Sequence, residues 1–170
     1  MSLVLNDIIP QLQAEFFGNR PDTIISNVSI DSRSFHNNES TLFFCLIGSN
    51  NNAHHYIDEL IAKGVKNFVV SQDVQSHENV NFLKVDNTLL ALQQFAAFYR
   101  KKFSFPIIGI TGSNGKTIVK EWLNFLLSPD YNIIRSPKSY NSQVGVPLSV
   151  IGINEQHNLG IFEAGISTVN

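Results

Sequence analysis

The chain has 170 residues, of which 43% are hydrophobic and 15% charged, and this balance excludes both a disordered tail and a fibre. Twelve basic against fourteen acidic residues give a formal net charge of −2, so no positive field is expected to attract nucleic acid or anionic lipid. No apolar run reaches the length of a membrane span and no basic segment opens the chain, so we expect a cytoplasmic protein.

The segment from residue 23 to residue 85 alternates short apolar runs with polar turns. The runs TIISNVSI, STLFFCLIG, KNFVV and VNFLKV are rich in Ile, Val and Phe and predict four strands. Between the second and third runs, residues 56–64 predict a helix with Gly64 at its C-terminal cap. The only cysteine, Cys45, lies in the second run, where we predict a buried thiol.

A second helix is predicted to begin at Asp86 or Asn87, because both are good caps and apolar residues then recur at helical spacing as far as Tyr99. The segment FSFP follows, and its proline interrupts the pattern. We therefore predict a small α/β domain over residues 1–103 and a second unit over residues 104–170.

The second unit is predicted to be α/β with a mainly parallel sheet. It begins with the strand PIIGITGS and continues with a helix over residues 116–127. The strand YNIIR, a polar turn, the apolar stretch VGVPLSVIGI and the strand LGIFEAG follow. The helix has apolar residues at positions i, i+3, i+4 and i+7, and we expect this face to pack on the sheet: Val119, Trp122, Leu123 and Leu126.

The segment GITGSNGKT, residues 109–117, carries the clearest chemical signal. It joins an apolar strand to an amphipathic helix, so glycine amides and the helix N-terminus can surround phosphate oxygens. Lys116 can reach the β- and γ-phosphates of a nucleotide, and the Thr117 hydroxyl can bind Mg²⁺. The glycine spacing differs from the strict G-x-x-x-x-G-K-[ST] pattern, because Ile110 stands at the first glycine position.

The order of several motifs resembles the Mur ligases, which build the peptide stem of peptidoglycan. TGSNGKT resembles their ATP-binding loop, and GKTIVKEWL, SPKSYNSQVGVPLSV and IFEAGIS are similar to the segments that follow it in the family. Upstream, the segment from SIDSRSF to KNFVV resembles the N-terminal domain of the members that add D-alanyl-D-alanine. The resemblance covers residues 27–170 and implies a UDP-substrate domain followed by the first part of a P-loop ATPase domain.

The resemblance implies a role for individual residues of the second unit. The ATP-binding residues would be Gly112, Ser113, Asn114, Gly115, Lys116 and Thr117. Glu163 matches the Mg²⁺-binding glutamate of the family, so Lys116 and Glu163 would be catalytic and Thr117 and Glu163 would hold the metal. Placement at the end of a strand suits a ligand-binding carboxylate, although an ordinary surface glutamate has the same sequence signature.

Further residues would bind the UDP-linked substrate. Asn141 and Ser142 match a segment near its reactive end, and a helix cap before VGVPL explains them equally well. The UDP end would be held by the loop of residues 48–54 together with the triplet Asp31, Ser32 and Arg33. An Asp/Arg pair is also typical of a turn in which the two side chains hydrogen-bond each other and bind no ligand.

Three positions depart from the family pattern. His54 matches a family histidine, whereas its neighbour His55 replaces an aspartate. Asn52 stands where the family often has Asp, and Ile118 stands where it usually has Ser or Thr. A metal site at the two histidines is not expected, because adjacent side chains point apart.

The implied reaction is the ATP-dependent ligation of D-alanyl-D-alanine to UDP-N-acetylmuramoyl-tripeptide through an acyl phosphate. Its partners would be these two substrates and ATP with Mg²⁺, without nucleic acid, and the 170 residues alone are expected to be inactive. The possibility that the parent protein is fused to an alanine racemase, which would add pyridoxal phosphate as a cofactor, stays open. A nucleotide-binding module without ligase chemistry is the alternative from another class.

Overall fold

The computed structural model describes residues 1–33, 39–138 and 140–165. By their contacts, the residues form two compact units, Met1–Phe95 and Ala96–Asn170. This division falls inside one long helix and differs by a few residues from the domain boundary expected after residue 103, which stays a prediction. Each unit has its own α/β architecture, as the sequence predicted.

The first unit is built around a five-stranded sheet. Its four parallel strands are β4 (Asn27–Ser29), β5 (Thr41–Phe44), β6 (Asn67–Val70) and β7 (Asn81–Lys84). A further strand, β2 (Glu15–Phe17), pairs antiparallel with β7, which gives the order β2-β7-β6-β5-β4. The four apolar runs of the sequence are therefore strands, whereas β2 was not predicted.

The core of this sheet is built from phenylalanines on neighbouring strands. Phe43, Phe68 and Phe82 are paired in register, with ring centroids 6.2 Å apart between the first two and 5.5 Å between the last two. On the other face, Phe44 meets Phe95 at 5.8 Å. Neighbouring Phe43 and Phe44 therefore bury opposite faces of one strand, as the two-residue repeat of a strand requires.

Short elements precede this sheet. Strand β1 (Leu3–Val4) pairs antiparallel with β3 (Ile24–Ile25), and a one-turn helix, α1 (Leu5–Ile8), lies between them in sequence. A 3₁₀ turn, Ile9–Leu12, follows α1. Strand β3 falls within the predicted run TIISNVSI, whereas the sequence did not predict β1, α1 or the 3₁₀ turn.

Both predicted helices of the first half of the chain are present. Helix α2 (Ile57–Ala62) follows a 3₁₀ turn, and Gly64 lies just past its end with φ +95°, the conformation for which glycine was predicted. Helix α3 (Thr88–Arg100) begins after Asn87, whose Oδ1 accepts hydrogen bonds from the amides of Leu89 and Leu90. Asn87 is thus the cap.

Cys45 is completely buried at the end of β5, as predicted. Burial raises the pKa of its thiol to about 12, so the thiolate is scarce at neutral pH. The residue therefore packs as a small apolar side chain.

The second unit contains three parallel strands, β8 (Ile107–Ile110), β9 (Ile133–Arg135) and β10 (Leu159–Glu163), in the order β8-β10-β9. Helix α4 (Lys116–Leu127) follows β8, as predicted. The apolar stretch before β10 forms helix α5 (Gly145–Ile151). Pro147 is tolerated there because it lies in the first turn, where backbone amides have no partner within the helix.

The expectation that the apolar residues of α4 pack on the sheet is wrong. Trp122, Leu126 and Val119 are 69%, 66% and 44% exposed, and only Leu123 of the predicted face is partly buried. The helix instead turns Lys120 towards β9 and β10, where this side chain is completely buried. Hydrophobic spacing predicted the wrong face because it takes no account of a buried ion pair such as the one between Lys120 and Glu163.

Among the helices of the described residues, none combines the length and apolar character needed to cross a bilayer.

Candidate functional site

The loop between β8 and α4 has the backbone that a phosphate loop requires. Gly112 and Gly115 have φ values of +136° and +76°, in the region that favours glycine. A Cβ at Gly115 would meet no atom within 4 Å, so the backbone conformation and not crowding requires glycine there. The loop is exposed, and α4 begins directly after it at Lys116.

Lys116 reaches back over this loop. Its Nζ donates a hydrogen bond to the carbonyl oxygen of Gly112 at 2.6 Å. The ammonium group therefore lies over the loop at the N-terminus of the helix. A positive charge, the amides of the first helical turn and the helix dipole together favour an anion at this place.

The end of β10 brings a carboxylate to the same place. Glu163 is paired with Ile110, the last residue of β8, and its side chain is completely buried. The Thr117 hydroxyl donates a hydrogen bond to Oε2 of Glu163 at 3.1 Å. The structure thus brings together three residues predicted to act together, Lys116, Thr117 and Glu163, at the carboxyl end of parallel strands.

Lys120 is the site residue that sequence reasoning missed. Its Nζ lies 2.9 Å from Oε1 of Glu163, and both side chains are completely buried. The available signal was the spacing of four residues from Lys116, which places both lysines on one side of a helix. In the sequence, Lys120 stands within GKTIVKEWL, a segment whose similarity to the family gives this lysine no separate role.

Glu163 is held by further contacts. Its backbone amide donates to Oγ of Ser136 at 3.0 Å, and Oε2 accepts from Thr117. Oε1 is close to Lys120, but no hydrogen bond of good geometry reaches this buried oxygen from the described residues. The ion pair and the missing hydrogen bond are compatible, because an ion pair is defined by distance and a hydrogen bond also by direction.

The carboxylate and hydroxyl oxygens fit a magnesium ion. Oxygen donors are those that Mg²⁺ prefers, and the Thr117 hydroxyl and Oε2 of Glu163 lie together beside the glycine-rich loop. The described residues contain no group of three His, Cys, Asp or Glu side chains placed to hold a metal. One or two protein ligands are sufficient when substrate phosphates supply the others.

Asn141 and Ser142 lie in the segment between β9 and α5. The backbone carbonyl of Asn141 accepts from the amide of Gly165 at 2.8 Å, which holds Asn141 close to the chain that leaves β10. Oγ of Ser142 accepts from the amide of Gly145 at 3.0 Å, so Ser142 does cap the start of α5. Both residues lie on the side of the sheet where Glu163 ends its strand.

In the first unit, Asp31 and Arg33 bind each other. Nε and Nη2 of Arg33 donate to the two carboxylate oxygens of Asp31 at 2.9 and 2.8 Å, and the Arg33 amide donates to Oδ1 at 3.0 Å. These hydrogen bonds lower the pKa of Asp31 from 3.8 to about 2. The pair has the geometry of a turn in which the two side chains satisfy each other's hydrogen bonds, although both side chains are exposed.

This pair borders an open groove of about 580 Å³, which lies beyond the carboxyl end of β4. Among the described residues, the groove is lined by Ile30, Asp31, Ser32, Arg33, Asn51, Tyr56 and Glu59. Arginine, hydroxyl and amide donors at this sheet edge can bind a phosphate-bearing ligand.

His54 is not part of this groove. It is buried, its Nε2 accepts from the amide of Ser71 at 2.9 Å, and its Nδ1 lies 2.7 Å from Oδ1 of Asn52. Because Nε2 accepts a hydrogen bond, Nδ1 carries the proton. Burial, followed by the charge of His55, lowers the pKa of His54, so the neutral ring holds the loop in place.

A glycine-rich loop between a parallel strand and a helix, with a carboxylate at the end of the neighbouring strand, defines an α/β unit of the P-loop class. Residues 110–170 match the family model described as the Mur ligase middle domain. Together with the similarity of nearly the whole chain to curated relatives of 34% identity, this match shows that the chain belongs to the Mur ligase family.

Curated relatives indicate which members of the family this chain resembles. The UDP-N-acetylmuramoyl-tripeptide--D-alanyl-D-alanine ligase of Borreliella burgdorferi is 34% identical over 182 residues, covering 99% of this chain and 39% of that protein. The ligase of the same name from Treponema pallidum is 37% identical over 150 residues, covering 82% of this chain and 32% of that protein. The chain spans between 28% and 39% of the length of such relatives.

Solved structures share the fold. A crystal structure of MurF from Acinetobacter baumannii superposes with a TM-score of 0.89 at 26% identity, covering 97% of this chain and 36% of that one. The MurF ligase from Thermotoga maritima in complex with ADP has a TM-score of 0.75 at 23% identity, covering 84% of this chain and 32% of that one, and supports the fold alone.

Proposed function

We propose that this chain provides the UDP-substrate-binding and ATP-binding parts of a ligase that joins D-alanyl-D-alanine to UDP-N-acetylmuramoyl-tripeptide. Residues 1–103 would hold the UDP end of the substrate and residues 104–170 would begin the ATP-binding domain. The observation that carries the ATP-binding part of the proposal is the hydrogen bond between Thr117 and Glu163 beside the glycine-rich loop. The names of the relatives agree with it.

In the proposed reaction, a carboxylate oxygen of the tripeptide attacks the γ-phosphorus of ATP, and ADP leaves. The amine of D-alanyl-D-alanine then attacks the acyl phosphate, loses a proton and displaces inorganic phosphate, which leaves a peptide bond. Both steps move negative charge on phosphate oxygens, so the protein contributes mainly by positioning and by charge stabilisation.

Each residue of the loop has a part in this scheme. The amides of residues 112–115 and the ammonium of Lys116 would bind the phosphates, which keeps the transferred group in line with the attacking oxygen. Thr117 and Glu163 would hold Mg²⁺, which neutralises phosphate charge when bound.

The substrate side of the proposal rests on the groove of the first unit and on the segment before α5. Arg33 and Ser32 would bind the diphosphate, and Asn141 and Ser142 would lie near the reactive end of the substrate. His54 would act through the loop it supports, since its ring nitrogens are already engaged. Because the reaction consumes ATP, we propose the cytoplasm as its compartment.

Calorimetric titration of the purified chain with UDP-N-acetylmuramoyl-tripeptide and with MgATP tests the proposal. We expect binding of both ligands, with uridine alone or ribose alone binding more weakly than the complete UDP-linked precursor. Binding of ATP without any response to the UDP-linked precursor would instead indicate a nucleotide-binding module, and no binding of ATP would contradict the loop assignment.

A further inference from the structure

Lys120 is a completely buried lysine on the helix that follows the phosphate loop. A buried ammonium group is costly unless hydrogen-bond acceptors and an opposite charge surround it. Here Nζ donates to the carbonyl oxygens of Ser136 at 2.9 Å and Lys138 at 2.5 Å. The carboxylate of Glu163 supplies the opposite charge at 2.9 Å, and Glu121 adds a second at 3.3 Å.

These contacts join three parts of the second unit. The two carbonyls belong to the segment that leaves β9 and leads to Asn141, whereas Glu163 ends β10. Lys120 itself lies one turn after Lys116 and Thr117 on α4. One side chain therefore connects the helix of the phosphate loop with the carboxylate and with the segment that carries Asn141.

The contacts also divide the two oxygens of Glu163 between two partners. Oε1 faces Lys120, and Oε2 accepts from Thr117 at the start of α4. With Oε1 next to an ammonium group, the carboxylate can offer only Oε2 to a cation. Mg²⁺ requires near-ideal octahedral geometry, whereas Ca²⁺ accepts more ligands and often takes both oxygens of one carboxylate.

We infer that Lys120 is a positioning residue for the cation site: by holding Oε1 of Glu163 it restricts the carboxylate to one oxygen and favours Mg²⁺ over Ca²⁺. The inference rests on the proposed function, since it concerns the same nucleotide site. Replacing Lys120 by an uncharged residue frees Oε1, so the carboxylate can turn and bind through both oxygens. The loss of the lysine charge affects the binding of both divalent cations equally. A change in the ratio of the affinities measured with the two cations therefore reports the orientation of the carboxylate.

The test compares ATP binding by the 170-residue chain in Mg²⁺, in Ca²⁺ and without divalent cation, for wild type and Lys120→Met. In the wild type, Mg²⁺ should raise the affinity for ATP, and in the variant we expect this gain to be about 10- to 100-fold smaller, as for other residues that orient metal ligands. The gain that Ca²⁺ gives should decrease less. The ratio of the ATP affinity in Mg²⁺ to the ATP affinity in Ca²⁺ should therefore be lower in the variant than in the wild type. Lys101→Met, at an exposed lysine after α3, is the matched control and should keep the wild-type ratio.

Each other outcome is decisive. An unchanged Mg²⁺ to Ca²⁺ ratio in Lys120→Met would overturn the inference, and so would an equal loss in both cations, which a purely structural role predicts. If the methionine variant does not fold, Lys120→Gln keeps amide donors for the two carbonyls without the charge, and failure of both variants to fold assigns Lys120 to stability alone. A wild-type chain whose ATP binding does not respond to cations contradicts the proposed function itself.

Discussion

Glu163 lies directly opposite Ile110 in the parallel pairing of β10 with β8. Because Ile110 is the last strand residue before the glycine-rich loop, this register places the carboxylate next to the first turn of α4, where Thr117 reaches it. A shift of one residue in the pairing would turn Glu163 to the other face of the sheet. The strand register, as much as the loop, therefore builds the candidate cation site.

Replacement of Lys116 by alanine tests the phosphate role of the loop. Removal of a charge-assisted contact should weaken MgATP binding by about 10- to 100-fold, as measured by calorimetry. The fold should be retained, because the ammonium donates to the exposed Gly112 carbonyl and Lys116 is itself partly exposed. Wild-type affinity in Lys116→Ala would show that the loop does not bind the phosphates.

The sequence predicted most of this architecture because its signals are local. Four apolar runs became β4 to β7, and the glycine-rich turn between a strand and a helix lies where the spacing put it. Glu163 was linked to the loop through the family resemblance, and the parallel pairing then brought the two together. Asn87 and Gly64 act as caps because those conformations depend only on neighbouring residues.

The rest depends on contacts between distant residues. Helix α4 buries Lys120 against Glu163, a contact that hydrophobic spacing does not indicate. Strand β2 pairs with β7, far along the chain, although its own three residues carry little strand pattern. Likewise, a histidine next to a predicted binding loop gave no sign that Ser71 and Asn52 would occupy both ring nitrogens.

The Asp31–Arg33 pair gives a prediction for acid pH. Hydrogen bonds from Arg33 lower the pKa of Asp31 from 3.8 to about 2, so the pair stabilises the fold above pH 3.8 and loses this contribution as the pH falls towards 2. Arg33→Ala keeps the backbone donor and should raise the pKa of Asp31 part of the way to 3.8, which an NMR titration measures. Both side chains are exposed, so the change in stability should be small.

The same variant distinguishes the two roles of the pair. If Arg33 binds the diphosphate, Arg33→Ala should weaken binding of the UDP-linked precursor in calorimetry and leave MgATP binding unchanged. Equal loss of both affinities, or a marked fall in melting temperature, would favour the role as a structural turn.

His54 should make the first unit sensitive to mild acid. Its pKa is lowered by burial, so the unfolded chain binds its proton more readily than the folded protein, and stability decreases as the pH falls below the ordinary value of 6.5. The charged ring would also lose the hydrogen bond from the Ser71 amide. His54→Gln keeps an acceptor and cannot titrate, so its melting temperature should fall less than that of wild type between about pH 7.5 and 5.5. Identical pH profiles would contradict this assignment.

Asn81 should be important for the stability of the first unit. Its amide donates to Oδ1 of Asn67 at 2.9 Å and to the carbonyl of Arg20 at 3.1 Å, and both asparagines are buried. Asn81→Leu removes the donor to the buried Oδ1 of Asn67, whereas the Arg20 carbonyl still accepts from the Thr23 hydroxyl. Chemical denaturation should therefore show a loss of about 1–3 kcal/mol for the one acceptor left without a partner. Asn50→Leu, in an exposed turn, is the control and should change little.

The exposed apolar face of α4 should make the chain self-associate in solution. Trp122 and Phe125 are 69% and 77% exposed, and neighbouring residues extend the same face: Ile118, Val119 and Leu126. Apolar patches of this kind bind hydrophobic dyes and promote self-association. Replacing Trp122 and Phe125 by lysine should reduce both anilinonaphthalene sulfonate fluorescence and light scattering. Because lysine is a good helix former and both sites are exposed, stability should stay within about 0.5 kcal/mol of wild type.

A matched variant on the buried side of another helix gives the contrast. Leu92 of α3 is completely buried, so Leu92→Lys should unfold the chain or strongly destabilise it. A loss of several kcal/mol from the substitutions at Trp122 and Phe125 would contradict the exposure of this face, because only side chains packed against other atoms lose contacts when they are replaced. Unchanged dye binding would mean that the hydrophobic surface lies elsewhere on the molecule.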